Sequence, residues 1–96
     1  MFVTVWEFKV KPGREEELLR INRPGGVWVE FFKQAEGYRG TEVLHQAGCV
    51  LTLDRWVSQE AFESFRGAHL DEYQKIDGQL AHLTEQERHL GFFESA

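Results

Sequence analysis

The sequence predicts an α+β fold in which strands and helices follow the order β-α-β-β-α-β. Two stretches lead to this prediction. Phe2–Val10 alternates large apolar with smaller or polar side chains, as a half-buried strand does. Cys49–Arg66 alternates in its first half and repeats with helical spacing in its second half, and Ser58 stands at the junction, where its side chain can cap helix amides. A strand therefore leads directly into a helix there.

The first strand is predicted over Phe2–Val10 because β-branched and aromatic residues dominate this segment. Lys11-Pro12-Gly13 ends the strand, since proline and glycine favour a turn. One face of the strand carries Phe2, Thr4, Trp6, Phe8 and Val10, and the other carries Val3, Val5, Glu7 and Lys9. The second face becomes polar towards Lys9, as expected where a strand leaves its sheet.

A broken helical segment is predicted next. The acids Glu15–Glu17 suit a first helical turn because of the helix macrodipole. Pro24-Gly25-Gly26 interrupts the helix. Gly37 is suited to a left-handed cap at the end of the segment. The helix that resumes after the interruption has an apolar stripe at i, i+3, i+4 and i+7, formed by Trp28, Phe31, Phe32 and Ala35.

Thr41–Gln46 and Cys49–Val57 are predicted as the second and third strands. Ala47-Gly48 is a short turn between them, so the two strands should form an antiparallel hairpin. A helix follows from Ser58, and a further helix runs from about Leu70. The first of these buries Ala61, Phe62 and Phe65, and the second carries Tyr73, Ile76, Leu80 and Leu83 on one side.

The closing strand is predicted over Arg88–Glu94. Thr84–Glu87 matches a capping box, which predicts a single helical turn before that strand. This order is that of the ferredoxin-like split βαβ arrangement, with a four-stranded antiparallel sheet and helices on one face only. We expect one domain over residues 1–96. Because the first and third strands carry large apolar residues on both faces, we also expect a second copy of the chain to cover the bare face.

Composition argues against several classes of protein. The net charge of −5 disfavours a nucleic-acid partner, because phosphate binding needs clustered lysine and arginine. No apolar run approaches the roughly 18–20 residues of a membrane span, so no membrane partner is expected. The lone Cys49 cannot form an internal disulfide, which suits a reducing cytoplasm. Eight phenylalanines and three tryptophans exceed what a small core readily hides, which favours a dimer interface or a cavity.

Six segments carry a resemblance to a known family. They are Phe8–Gly13, Pro24–Trp28, Glu36–Glu42, Leu53–Ser58, Leu83–Glu87 and Gly91–Phe93. In this order and spacing they resemble the antibiotic biosynthesis monooxygenase domain family. The resemblance implies a homodimer of ferredoxin-like protomers whose sheets form a dimeric α+β barrel, with a small apolar pocket in each protomer. Some members oxidise polycyclic aromatic quinols with molecular oxygen and no cofactor, whereas others degrade haem, act as isomerases or have no assigned activity.

The same resemblance disfavours haem degradation. The haem-degrading branch uses an asparagine on the first strand, a tryptophan on the helix after the third strand and a histidine one helical stretch further on. The corresponding positions here hold Trp6, Phe65 and about Lys75, so none of them matches. No haem is therefore expected, and no other cofactor.

The candidate catalytic residues are Asp54 and His45. Asp54 lies in a mostly apolar strand, where burial would raise its pKa and make it a base. Alternatively, Asp54 pairs with Arg39, with Arg55 of a partner subunit or with a helix amide. His45 lies on the second strand, and an imidazole near its ordinary pKa is suited to take a proton from a quinol or enol. The alternative is a solvated histidine beside the hairpin turn.

The candidate substrate-binding residues are Trp6, Trp56, Phe65, His69 and Tyr73. The first three would wall a pocket for an aromatic compound. His69 and Tyr73 lie four positions apart, so they share a helix face and could both reach the pocket mouth. For Trp56 and Tyr73 the alternative is core packing. No metal site is expected, because no histidine pair has zinc-ligand spacing and the chain has one cysteine.

Two functions fit these features. The first is a cofactor-independent monooxygenase acting on a small aromatic or quinol-like compound, in which the substrate supplies the electrons and a basic side chain forms its reactive anion. The second is a small-ligand-binding or housekeeping homodimer without catalysis. Consumption of oxygen distinguishes the first from the second.

Overall fold

A four-stranded antiparallel sheet is the centre of the computed structural model, which describes residues 1–96. Its strands are β1 (Phe2–Val10), β2 (Tyr38–Gln46), β3 (Cys49–Trp56) and β4 (Thr84–Glu94). The helices are α1 (Glu15–Ile21), α2 (Val27–Phe32), α3 (Gln59–Ala68) and α4 (Leu70–Leu80), and a short 3₁₀ helix spans Ala81–Leu83. The predicted element order and the two broken helical segments are confirmed.

The strands lie in the order β2-β3-β1-β4, and every neighbouring pair is antiparallel. The predicted ferredoxin-like arrangement is therefore confirmed. The predicted hairpin is also present, with Gln46 paired to Cys49. Gly48 has a φ of +76° in its turn, a conformation that suits glycine because it has no Cβ.

One face of the sheet, here called the inner face, packs against the helices. Along β3 every second side chain is buried, and these are Val50, Thr52, Asp54 and Trp56. The period of two places all four on one face, as the sequence predicts. On β1 the register sets Thr4 opposite Asp54 and Trp6 opposite Thr52, so the predicted face of Trp6 is also the inner one.

Two clusters of buried apolar side chains fill the space between the inner face and the helices. The first joins Phe2 and Trp56 of the sheet to side chains of α2, α3 and α4, which are Phe31, Phe32, Phe62, Phe65 and Ile76. The second lies towards the other end of the sheet and contains Val10, Leu18, Leu19, Val50 and Leu83. The apolar stripes predicted for α2 and α3 therefore build the larger cluster.

The start of α3 and its contact with the preceding loop position β3 against the helices. The Ser58 hydroxyl accepts a hydrogen bond from the Ala61 amide at 3.1 Å, so the predicted cap is confirmed. Gly37 does not have the left-handed conformation that the sequence suggested. Instead it lies against α3, where an added Cβ would stand 2.6 Å from the Cβ of Ala61. Close packing, rather than a left-handed backbone, is the reason for glycine at this position.

The expectation of a helical turn at Thr84–Glu87 is wrong. The strand β4 already begins at Thr84, which pairs with Val10, and Glu87 pairs with Phe8. A turn of 3₁₀ helix lies immediately before this segment instead. The capping-box pattern is local, whereas pairing of Thr84, Gln86 and Glu87 with β1 decides the conformation of the segment.

The outer face of the sheet is free of helices, because all four pack on the inner face. Leu51 and Leu53 of β3 lie on the outer face with intermediate exposure. Leu44, which is 45% exposed, stands opposite Leu51, and Phe93, which is 52% exposed, stands opposite Val3. No helix of the chain is long and apolar enough to cross a membrane.

Candidate active site

A cavity of about 170 Å³ lies between the inner face of the sheet and the helices. The sheet contributes Trp6, Phe8, Thr52, Asp54, Thr84 and Glu87 to its lining. The helices and the end of α1 contribute Leu18, Ile21, Asn22, Trp28, Phe32, Arg66, Tyr73, Asp77 and Leu80. An engineered protein cavity of about 150 Å³ holds benzene. The volume here therefore suits one aromatic ring.

Asp54 is the buried carboxyl group of this cavity, with 8% of the residue exposed. The Thr41 hydroxyl donates a hydrogen bond to Asp54 Oδ1 at 2.6 Å. Arg55 pairs instead with Glu42 at 2.9 Å, and Arg39 donates to backbone carbonyls. Burial raises the pKa of Asp54 from 3.8 to about 6, against the smaller lowering effect of the Thr41 hydrogen bond. A carboxyl group with such a pKa changes charge close to neutral pH.

A second hydroxyl extends this contact away from the cavity. The Tyr38 hydroxyl lies 2.5 Å from Thr41 Oγ1, so Tyr38, Thr41 and Asp54 form a continuous hydrogen-bonded chain. Burial raises the pKa of Tyr38, the Thr41 hydrogen bond lowers it, and the negative charge of Asp54 raises it further. Tyr38 therefore remains protonated at neutral pH.

The rest of the cavity is predominantly acidic. Asp77 and Glu87 add two carboxyl groups, and Arg66 is the one cation of the lining. The Arg66 guanidinium lies 5.2 Å from the centre of the Tyr73 ring, a cation–π distance. Burial raises the pKa of Glu87, and the charge of Asp77 raises it further, although a hydrogen bond from Thr84 lowers it. Three carboxyl groups beside one guanidinium favour neutral or cationic ligands over anions.

Aromatic rings form two walls of the cavity. Trp28 of α2 lies with its ring 5.6 Å from that of Phe32 and 5.2 Å from that of Tyr73. On the sheet side, the Trp6 ring lies 4.8 Å from the His89 ring. Burial raises the pKa of the Tyr73 phenol, Arg66 works against this, and nearby carboxylates add to it. The Tyr73 hydroxyl is therefore available as a neutral hydrogen-bond donor at the cavity wall.

Three of the predicted site residues are brought together by the fold, namely Trp6, Asp54 and Tyr73, which all line the cavity. Trp56 lies behind it and is fully buried among the rings of Phe32, Tyr38, Phe62 and Phe65. Phe65 stacks on His69 at 4.3 Å between ring centres, at the junction of α3 and α4, and neither residue lines the cavity. The substrate-binding roles of these residues remain predictions.

His45 lies apart from the other predicted site residues. It is on the inner face of β2, opposite Val50, but at the hairpin end of the strand. Its side chain is 52% exposed, and Nδ1 lies 3.7 Å from Glu15 Oε1 at the start of α1. His45 does not line the cavity that contains Asp54, and its catalytic role remains a prediction.

The cavity lining also contains residues that the sequence patterns do not identify as site residues. Asn22 is 6% exposed and donates a hydrogen bond from Nδ2 to the Leu18 carbonyl at 3.0 Å. Asp77 lies four positions after Tyr73, so helical spacing alone would have placed both on one face of α4. No comparable spacing identifies Arg66 and Glu87 as cavity residues, because Arg66 lies on α3 and Glu87 lies on β4. No group of three or more His, Cys, Asp or Glu side chains is arranged to hold a metal ion.

Several solved structures share the fold of this chain. A monooxygenase from the gene ActVA-Orf6 of Streptomyces coelicolor, in complex with nanaomycin D, is 21% identical with a TM-score of 0.79, over 99% of this chain and 87% of that one. SnoaB, a cofactor-independent oxygenase from Streptomyces nogalater, is 18% identical with a TM-score of 0.75, over 98% and 91%. Rv0793 from Mycobacterium tuberculosis is 17% identical with a TM-score of 0.68, over 99% and 97%. At these identities the likeness establishes the fold.

Family membership rests on the sequence itself. A search of curated proteins finds no match to this chain. The family model described as antibiotic biosynthesis monooxygenase matches residues 1–78. The matched region contains three cavity residues that the sequence had singled out, Trp6, Asp54 and Tyr73. The chain therefore belongs to the antibiotic biosynthesis monooxygenase family.

Proposed function

We propose that the protein is a monooxygenase that oxidises a small aromatic or quinol-like compound with molecular oxygen and without a cofactor. The observation that carries this proposal is a buried carboxyl group, Asp54, with a pKa of about 6 inside an aromatic-walled cavity. Such a group is suited to remove a proton from a bound hydroxyarene near neutral pH. Two structural neighbours, a monooxygenase and a cofactor-independent oxygenase, support the same reaction class.

The substrate itself would supply the electrons. Asp54 takes the hydroxyl proton of a hydroxyarene, and the resulting anion is electron-rich enough to reduce oxygen. A carbon–oxygen bond forms at a ring carbon to give a peroxide. The terminal oxygen of this peroxide takes a proton from solvent, which replaces the one held by Asp54. The O–O bond then breaks while that carbon loses its proton, which leaves a new carbonyl on the ring. The departing hydroxide combines with the lost proton to form water. The hydroxyarene is oxidised to a quinone, and oxygen is reduced by the same number of electrons.

The other lining groups would bind and orient the ring. Trp6 and Trp28 offer apolar surfaces for stacking, and the volume of about 170 Å³ suits a single-ring reacting portion. The Tyr73 phenol can donate a hydrogen bond to the substrate anion, and Arg66 above it adds positive charge. The acidic groups of the lining favour a neutral substrate over a carboxylate or phosphate.

Oxygen uptake tests this function. Anthrol- and menadiol-like hydroxyarenes are supplied with no metal or flavin added, and uptake above the uncatalysed rate is expected for at least one of them. Asp54→Asn should lower the catalysed rate by about 100-fold or more, because a positioned base contributes that much. Asp71→Asn, at an exposed position of α4, is the matched control and should leave the rate unchanged.

Two results would overturn the proposal. One is uptake at the uncatalysed rate across the whole panel, and the other is full activity of Asp54→Asn. If the same compounds bind in the cavity but no oxygen is consumed, the non-catalytic ligand-binding role is supported instead.

We also propose that two copies associate through the outer faces of their sheets and that residues 1–96 act as one domain in the cytoplasm. The apolar side chains of Leu44 and Phe93, 45% and 52% exposed, support the association. The single sheet that joins both ends of the chain supports the single domain. The lone Cys49 supports a reducing compartment.

A further inference from the structure

The hydrogen-bonded chain from Asp54 leads out of the cavity. Asp54 lies on β3 and lines the cavity, Thr41 lies on the edge strand β2, and Tyr38 lies at the start of that strand with partial exposure. The two oxygen–oxygen distances are 2.6 Å between Thr41 and Asp54 and 2.5 Å between Tyr38 and Thr41. Both are within the range of strong O–H···O hydrogen bonds.

A local irregularity of β2 makes this series of hydrogen bonds possible. In a regular strand, residues three positions apart point to opposite faces of the sheet. The register between β2 and β3 shifts between Tyr38 and Gly40, and Gly40 has a φ of +119°. The shift brings Tyr38 to the same face as Thr41, where the Tyr38 ring also packs 5.4 Å from the Trp56 ring. Bulges often redirect a side chain beside an active site in this way.

The direction of both hydrogen bonds follows from the number of hydrogens. Ionised Asp54 only accepts, so Thr41 must donate its single hydroxyl hydrogen to Asp54. The Thr41 oxygen is then an acceptor for Tyr38, which donates its own hydrogen. When Asp54 is ionised, Tyr38 therefore donates to Thr41 and Thr41 donates to Asp54, so that each hydroxyl donates one hydrogen bond.

We propose that Tyr38 and Thr41 form a relay that carries the proton taken up by Asp54 from the cavity to solvent. This role deepens the proposed function and depends on it for the source of the proton. Through this relay Asp54, which is 8% exposed, can lose its proton after each turnover without direct contact with bulk water.

The transfer is balanced in atoms and moves no electrons. When Asp54 is protonated, its carboxyl becomes the donor, and the two hydroxyls rotate so that Thr41 points to Tyr38 and Tyr38 points to solvent. The Asp54 O–H bond breaks as its proton binds the Thr41 oxygen. The former Thr41 proton passes to Tyr38, and the former Tyr38 proton passes to water. Each hydroxyl loses one proton and gains one, and the original orientation of the chain is restored.

The test measures proton exchange at Asp54 directly, in the protein without substrate. The exchange rate of the carbon-13-labelled Asp54 carboxyl with solvent is followed by NMR relaxation near its pKa of about 6. Tyr38→Phe and Thr41→Val each keep the shape of the side chain but remove one hydroxyl. Both should slow exchange by about tenfold or more, a modest part of what positioned proton transfer contributes. Thr41→Ser keeps the hydroxyl and should restore the wild-type rate.

Thr4→Val is the matched control. Thr4 is a buried threonine on the same face and opposite Asp54, but its hydroxyl lies 2.9 Å from His89 Nε2 and outside the chain. This variant should exchange at the wild-type rate. Wild-type exchange in both Tyr38→Phe and Thr41→Val would overturn the relay, even if both variants were less stable. If Thr41→Val does not fold, the exchange rate of Asp54 in Tyr38→Phe alone tests the relay.

Oxygen uptake gives a second readout. In Tyr38→Phe the maximal rate should fall by about tenfold in dilute buffer with KM unchanged, and rising concentrations of a small buffer acid–base pair should restore it. A variant insensitive to buffer would contradict the relay. Absence of oxygen uptake by the wild-type protein would contradict the proposed function but not the exchange experiment, so the two failures can be distinguished.

Discussion

The Thr41 hydroxyl donates a hydrogen bond to Asp54 Oδ1 at 2.6 Å, from the position directly opposite on the neighbouring strand. It is the single hydrogen bond of the Asp54 side chain, and it comes from a neutral group. One such bond does not offset the loss of hydration on burial, so the pKa of Asp54 stays raised, at about 6. A carboxyl held in this way is poised for proton transfer and costs stability when it is ionised.

Asp54→Asn should stabilise the protein at pH values above about 6. The pKa of Asp54 in the folded state lies above the ordinary aspartate value of 3.8, so the folded state holds this proton more tightly than the unfolded state does. The stability contributed by protonated Asp54 is therefore present below 3.8 and is lost as pH rises through about 6. The loss is about 3 kcal/mol at most. Asparagine does not titrate. The free energy of unfolding of the Asp54→Asn variant should therefore exceed that of the wild type only at pH values above this range.

Urea unfolding at a series of pH values measures this difference. Asp71→Asn at the exposed first turn of α4 is the matched control, because it makes the same substitution at an exposed carboxyl group. A pH-independent difference for Asp54→Asn would show that burial does not raise the pKa of Asp54.

Substitution of the two inner-face tryptophans should separate packing from ligand binding. Trp56 is fully buried and does not line the cavity, so Trp56→Phe should lower the free energy of unfolding by about 1–3 kcal/mol and leave ligand affinity unchanged. Trp6 lines the cavity, so Trp6→Phe should weaken binding of a naphthol probe. Urea unfolding and probe fluorescence measure the two effects. Weaker naphthol binding by Trp56→Phe at unchanged stability would instead place Trp56 in the binding site.

Gly37→Ala should destabilise the protein, because the new Cβ would stand 2.6 Å from the Cβ of Ala61 and 3.1 Å from Cγ2 of Val57. The cost of such overpacking is about 1–3 kcal/mol. Gly67→Ala is the matched control on the helix that Gly37 contacts, since nothing lies within 4 Å of an added Cβ there. This control should stabilise α3 by about 0.5–1 kcal/mol. Thermal unfolding measures both changes, and equal melting temperatures for the two variants would contradict the close contact.

The association through the outer face predicts a particle of twice the 11.2 kDa chain mass at micromolar concentration. Leu44→Lys places a charge on the exposed apolar surface of β2 and should give monomers, because burying an unpaired charge is costly. Leu70→Lys is the control, since Leu70 is similarly exposed at 41% but begins α4 on the helical side. Sedimentation equilibrium measures the mass. A monomeric wild type, or a dimer unaffected by Leu44→Lys, would rule out this interface.

Local patterns in the sequence were sufficient for most of the fold. The alternation from Val50 to Trp56 identifies one face of β3 because side chains of a strand point to opposite faces in turn. Ser58 marks the start of α3 because its oxygen satisfies an amide three residues later. The resemblance to the antibiotic biosynthesis monooxygenase family was likewise confirmed by the family match. The inferences about β3 and Ser58 depend on neighbours within a few positions of the chain, whereas the family resemblance depends on the order of short segments along it.

The conformation of Thr84–Glu87 shows where local patterns fail. The capping-box sequence is compatible with a helical turn, but the segment pairs with Phe8–Val10 at the other end of the chain. Those hydrogen bonds exist only once the sheet has formed, and they outweigh a local capping preference. The same limit applies to Tyr38, since only the register shift next to Gly40 brings it to the face of Thr41.

The sequence by itself determined which side chains share a face, and the tertiary structure decided which of them meet in the cavity. His45 and Asp54 both lie on the inner face of the sheet, but only Asp54 lines the cavity, because His45 stands at the hairpin end of its strand. Arg66, Asp77 and Glu87 join Asp54 from three separate elements, so no spacing along the chain relates them. The physical reason is that periodicity sets the direction of a side chain, whereas its partners depend on how distant segments pack.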